Sequence, residues 1–124
     1  MDVNVHQNIA YYSHLLQKDL CDCAYCKNYY SQVKSAYPEV AAYLLSLGID
    51  IEKPFETSPL EPENGYLTYC VCQYIAFGSC SDTFYHKIGN VEFRKATSYP
   101  STGITDPHFV LDVAPITLKV NFSE

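Results

Sequence analysis

Tyr66-Leu-Thr-Tyr-Cys-Val-Cys-Gln-Tyr-Ile-Ala-Phe77 is the stretch on which the fold turns. It is crowded with aromatic and branched side chains, opens after the turn signal Asn64-Gly65 and is closed by Gly78. That combination predicts a long interior strand. Downstream, Phe84 to Ile88 and Val91 to Ala96 flank Gly89-Asn90, a two-residue hairpin signal. Ile116, Leu118, Val120 and Phe122 alternate with Thr117, Lys119 and Asn121, the period of a half-buried strand. His108 to Val113 precedes it as another strand, and Pro115 forces a break or bulge between the two.

Upstream the period changes. Tyr29, Val33 and Tyr37 recur at four-residue steps, which predicts a helix near 25–36 that stops before Pro38. Pro38 then suits the first turn of a second helix, 38–47, where Val40, Ala41, Tyr43, Leu44 and Leu47 form an apolar stripe and Gly48 supplies the left-handed cap. Residues 53–62 form a proline-punctuated connection with a short edge strand at Phe55 to Ser58. In Asn8 to Leu16 the period does not separate strand from helix. Two helices followed by four or five strands define an α+β class: two short N-terminal helices packed on an antiparallel β-sheet or sandwich. Tyr29, Val33, Val40, Leu44 and Leu47 are the helical residues expected to face that sheet.

The 124 residues read as a single domain, 1–124, with a cysteine-rich helical part, 1–54, and a β-rich part, 55–124. Hydrophobic residues make up 48% and charged residues 18%, a folded composition throughout. The formal charge of −6 repels a phosphate backbone, so nucleic acid is not an expected partner. Met1 to Ala10 carries neither the basic nor the continuous apolar region of a secretory signal, and no run approaches a membrane span. A cytoplasmic protein without membrane contact is the expectation.

Chemistry concentrates in Leu20-Cys-Asp-Cys-Ala-Tyr-Cys-Lys-Asn-Tyr-Tyr30, which holds half of the six cysteines. Six cysteines allow 15 disulfide connectivities, but a reducing cytosol disfavours all of them. Cys23-x-x-Cys26 has the bite that seats two thiolates on a tetrahedral zinc, and Cys21 can supply a third. The second group, Cys70, Cys72 and Cys80, lies on or just after the long strand, and Cys72 or Cys70 is the candidate fourth ligand if that strand passes the helix start; His14 is a weaker one. The metal set is therefore Cys21, Cys23, Cys26 and Cys72. The same pair also reads as redox-active: Cys23 precedes a helix whose N-terminus favours thiolate, and Cys26 sits one turn in as the resolving thiol. Against that stand the missing βαβ context and the negative charge of Asp22. For Cys70, Cys72 and Cys80, packing as small apolar residues is the favoured reading.

Cys21-Asp-Cys-Ala-Tyr-Cys-Lys-Asn-Tyr29, with Tyr37-Pro-Glu-Val40 and Leu47-Gly-Ile-Asp-Ile-Glu-Lys-Pro54, resembles a family of small uncharacterised bacterial proteins, a domain of unknown function. Its members share a Cys-x-x-Cys-[Lys/Arg]-Asn-aromatic segment followed by Leu-Gly-[Ile/Val]-Asp-x-x-Lys-Pro. The resemblance implies a bacterial, cytosolic protein and brings no catalytic residue with it.

Elsewhere the chemistry thins out. The four histidines are dispersed, and no zinc-protease, nucleophile-elbow, phosphate-loop or calcium-loop pattern occurs. Asp50, Glu52, Glu61 and Glu63 read as solvated surface, and Ser98 to His108 as a polar connecting loop that could line a pocket with Asp106 and His108. Twelve tyrosines suit either a partner surface or a core. The expected function is a non-enzymatic protein-interaction module, with a protein partner or homo-oligomer and a structural zinc knuckle. The alternative is a thiol-disulfide oxidoreductase or metal-dependent enzyme centred on Cys23 and Cys26.

Overall fold

The stretch after Asn64-Gly65 becomes the strand about which the chain is arranged. A computed structural model describes residues 1–122. Its elements, in order, are β1 (Asp2–Val3), α1 (Val5–His14), a 3₁₀ turn (Gln17–Asp19), α2 (Ala24–Ala36), α3 (Pro38–Ser46), β2 (Glu56–Pro59), β3 (Tyr66–Ser79), β4 (Tyr85–Ile88), β5 (Val91–Lys95), β6 (His108–Ala114) and β7 (Ile116–Lys119). This is an α+β protein with one antiparallel sheet of seven strands. β3 carries β6 and β7 end to end along one edge, in registers Cys72↔Val113 and Tyr69↔Ile116, while β1 and β2 share its other edge. β5 and β4 continue the sheet beyond β6, joined by the hairpin at Gly89-Asn90.

The sheet curls where β3 changes its inward face. Leu67 and Tyr69 point to the core, then Cys72, Tyr74 and Ala76 do; opposite them Ile116 and Leu118 give way to Val113, Leu111 and Phe109. On the β2 side the register also slips, Thr57 facing Cys72 but Pro59 facing Tyr69, so β3 holds one residue more than its neighbour there. Such a bulge bends a strand and increases its twist. The bend cups the sheet around α2 and α3, whose Tyr29, Val33, Val40 and Leu44 are buried as expected, with Leu47 half-buried. The back face of β3 is covered too, because Ile75, Phe77, Val110 and Ala96 pack under Tyr11, Phe55 and Ile104. Cys72 to Phe77 is consequently buried without interruption.

The undecided segment is helical. Asn4 caps α1 by accepting the Gln7 N–H at 3.0 Å, and only Asn8 and Tyr12, one turn apart, are buried. One of those two is polar, so no apolar stripe betrays the helix. Asn8 is nonetheless a fastener: its amide donates to the Leu47 carbonyl at 2.7 Å and its oxygen accepts the Phe77 N–H at 2.7 Å. Asn28 does the same for α2, donating to the Lys119 carbonyl at 3.0 Å and accepting from the Asn121 N–H at 2.8 Å. Buried tyrosine hydroxyls are satisfied likewise, with Tyr74 donating to the Ile51 carbonyl at 2.6 Å and Tyr29 therefore donating to Tyr74. Among the described residues no buried side-chain nitrogen or oxygen lacks a partner.

Two strand boundaries move for visible reasons, beside shifts of one or two residues at other element ends. β2 begins at Glu56 rather than Phe55, since the Phe55 ring is spent on the back face of the sheet. β7 ends at Lys119 rather than Phe122, because the Val120 N–H turns to the Gly65 carbonyl at 2.9 Å. The four or five strands expected become seven because the edge strand forms as β2 and the two-residue β1 is added.

Gly48 ends α3 at φ +83°, and a Cβ there would lie 2.6 Å from the Val5 carbonyl oxygen of α1. Gly48→Ala thus combines a left-handed backbone cost with a clash against main chain. Chemical denaturation should register a loss of about 2–4 kcal/mol, where an ordinary solvent-exposed helix cap would lose about 1.

Candidate metal centre

The chain approaches α2 in extended conformation, and Cys23 stands at its N-cap with φ −68° and ψ 160°. Its sulfur accepts the Cys26 N–H at 3.4 Å, the task usually done by a Ser or Asp oxygen. Cys26 follows one turn in, half-buried, with its sulfur 3.7 Å from the Thr57 hydroxyl of β2. Cys21 lies in the preceding segment, whose carbonyl is fixed by the Tyr30 hydroxyl at 2.9 Å. The three sulfurs all lie within 4.8 Å of one another. Tetrahedral ligation with sulfur about 2.3 Å from zinc needs sulfurs about 3.8 Å apart, so the thiols need shift by no more than about 1 Å to close on an ion.

The electrostatics separate the thiols. Partial burial pushes Cys23 upward, but hydrogen bonds from the Cys26 N–H, the Cys21 and Cys26 thiols and the Tyr25 N–H outweigh it and hold Cys23 below its ordinary value. Burial, and donation to Cys21 and Cys23, push Cys26 up to about 12. Hydrogen bonding and burial thus move Cys23 and Cys26 in opposite directions. A cation would reverse the Cys26 shift, because metal binding takes the deprotonated ligand.

A cavity of about 320 Å³ adjoins the cluster, and Cys21, Cys26, Tyr30, Asp19, Glu56 and Thr57 are among the residues that line it. Thr57 and Tyr30 had no signal in the sequence: Thr57 lies 31 positions from Cys26 and reaches it only because β2 pairs with β3.

The structure brings together Cys21, Cys23 and Cys26 but leaves Cys72 outside the group. It is Thr57, the register partner of Cys72, that meets Cys26. Cys72 itself is fully buried in the core beside Tyr29, and burial pushes its thiol up to about 12. Cys70 is exposed, Cys80 is half-buried with its thiol against the Ser81 carbonyl, and all six cysteines are free thiols. His14 folds back on its own helix, 2.7 Å from the Ala10 carbonyl. His108 is held by Thr102 and the Asp106 carbonyl, and the Asp106 carboxylate accepts from Gln7 at 2.7 Å, so this pair shapes a loop. Asp50 accepts the Glu52 N–H at 2.9 Å, a local turn.

A three-helix, seven-stranded α+β protein with a three-thiol cluster at a helix entrance is the class that fold and site define. Comparison of the chain with protein-family models, with curated proteins and with solved structures found no match. Among the described residues no helix is long and apolar enough to cross a membrane.

Proposed function

We propose that this chain is a non-enzymatic interaction module in which Cys21, Cys23 and Cys26 hold a zinc ion. The observation that carries the reading is the approach of three sulfurs to within 4.8 Å at the surface end of α2. A donor set of thiols alone is soft, which favours zinc over magnesium or calcium. When bound, zinc would supply a rigid tetrahedral junction and no redox chemistry. Cys23 accepts the Cys26 backbone N–H, so one ligand is prearranged, and Cys21 and Cys26 would complete the set.

The fourth position falls to a group other than Cys72 in this reading, because Cys72 is fully buried in the core and stands outside the three-sulfur group. Cys21 and Cys23 are exposed, so a donor from a protein partner or a second copy can reach the ion. The reducing cytoplasm of a bacterial cell, as the family resemblance implies, is where free thiols and a thiolate-held ion persist together.

Single substitutions test the assignment. Cys21→Ser, Cys23→Ser and Cys26→Ser should each cost most of the bound zinc, while Cys70→Ser, Cys72→Ser and Cys80→Ser should retain it. Zinc retained by all of the first three variants would reject the centre, and loss with Cys72→Ser would make Cys72 the fourth ligand. A chelator should lower the melting temperature, since metal affinity is coupled to folding.

One feature favours thiol-disulfide exchange as the second reading: exposed Cys23 stands at the start of a helix with Cys26 within reach as a resolving thiol. It requires the chain to be isolated free of metal and Cys23 to alkylate before the other five thiols at neutral pH.

A further inference from the structure

We infer that the groove between α1 and α3 is a binding site for a small amphipathic acid, an apolar chain ending in a carboxylate. The groove encloses about 520 Å³, within the range of about 300–1,000 Å³ typical of small-molecule sites. Tyr12, Ala41, Ile49 and Ile51, all buried, give it an apolar floor. Ile9 and Leu45 rise at its sides, 51% and 67% exposed, and Leu45 is the most exposed large apolar residue of the described chain. An acyl-like chain laid between them would cover that surface at about 25 cal/mol per Å².

Charge selects the other end of the ligand. Lys34 and Lys53 both line the groove, in a protein whose formal charge is −6. Among the described residues the ion pairs are Arg94 with Glu92 and Lys95 with Asp82, so neither groove lysine is matched to a carboxylate. Lys53 is half-buried and donates to the Tyr12 carbonyl at 2.7 Å, which fixes its ammonium in the lining and leaves two N–H groups to spare. Asp50, the one acidic residue of the lining, has an oxygen engaged by the Glu52 N–H. A cationic ligand would meet two ammoniums. A neutral apolar ligand would leave them without gain, and a carboxylate matches them by charge-assisted hydrogen bonds.

Calorimetric titration of the intact chain with octanoate, and with 1-octanol as its uncharged counterpart, tests the site. Octanoate should bind saturably at one per chain, and octanol about tenfold or more weaker, the effect of losing one hydrogen bond to a charged group. Lys34→Met should weaken octanoate about tenfold and leave octanol unchanged. Ala42→Trp, at an exposed lining position of α3, should abolish both while the thermal transition is preserved. Absent octanoate saturation, equal affinity for the two probes, or binding that survives Ala42→Trp would each overturn the inference. So would a dimer in sedimentation that Ala42→Trp dissolves, since the groove would then be an interface between two copies. None of these outcomes depends on the cysteines, so the metal reading stands or falls separately.

Discussion

Leu118→Asp should abolish cooperative unfolding altogether, while Lys119→Asp, one residue further along β7, should melt within about 0.5 kcal/mol of the parent. Leu118 is 2% exposed and pairs across the sheet with the fully buried Leu67. Lys119 points to solvent, and its contribution to the fold is a backbone carbonyl that accepts from Asn28 and Gln32, which substitution leaves in place. An unpaired carboxylate at position 118 costs several kcal/mol in addition to the lost leucine packing, against a total of about 5–15 kcal/mol for a domain of this kind. Circular dichroism melts decide it, and equal midpoints for the two variants would contradict the assignment of faces.

Asn8→Ala is the second large effect, and it tests a contact that no pattern in the chain announces. The Asn8 side chain bridges the Leu47 carbonyl behind α3 and the Phe77 N–H on β3, and Asn8 is fully buried. Alanine would leave a buried donor and a weakened acceptor, at about 1–3 kcal/mol for each unsatisfied group, so a loss of about 2–5 kcal/mol is expected in urea denaturation. Gln7→Ala, one residue earlier, removes only exposed hydrogen bonds, one donated to Asp106 and one accepted from the Asn4 amide, and should stay within about 0.5 kcal/mol of the parent. If Asn8→Ala were as mild as Gln7→Ala, α1 would not be fastened to the sheet through this residue.

Legibility in the sequence followed the width of the buried stripe. α2 and α3 bury Tyr29, Val33, Val40, Ala41 and Leu44 at helical spacing, and Pro38 and Gly48 mark where one helix begins and ends, so both were readable. α1 buries Asn8 and Tyr12 alone and gave no period to read. β3 was recognisable from composition, yet its change of inward face between Tyr69 and Cys72 was hidden because its following half is buried on both faces, the back one by Tyr11, Phe55 and Ile104, residues distant in sequence. The tyrosines divide the same way: Tyr12, Tyr29, Tyr69 and Tyr74 belong to the core, whereas Tyr66, Tyr85 and Tyr99 are exposed.

The candidate site shows the same limit. Cys21, Cys23 and Cys26 are close in sequence and become close in space, because the entrance to a helix is local geometry. Cys72 depends on strand register, and register places Thr57 against Cys26 instead. The cavity beside the cluster is likewise assembled from four separate stretches of chain, of which only the cysteine segment carried a recognisable pattern.

Metal content measures the central claim most directly. Chain purified under reducing conditions, stripped with chelator and titrated with cobalt(II), should show thiolate-to-metal charge-transfer absorption that saturates at one ion per chain and is displaced by zinc. Absence of that absorption, together with a Cys23 that resists alkylation until the chain unfolds, would contradict the metal centre and leave the three thiols as packing.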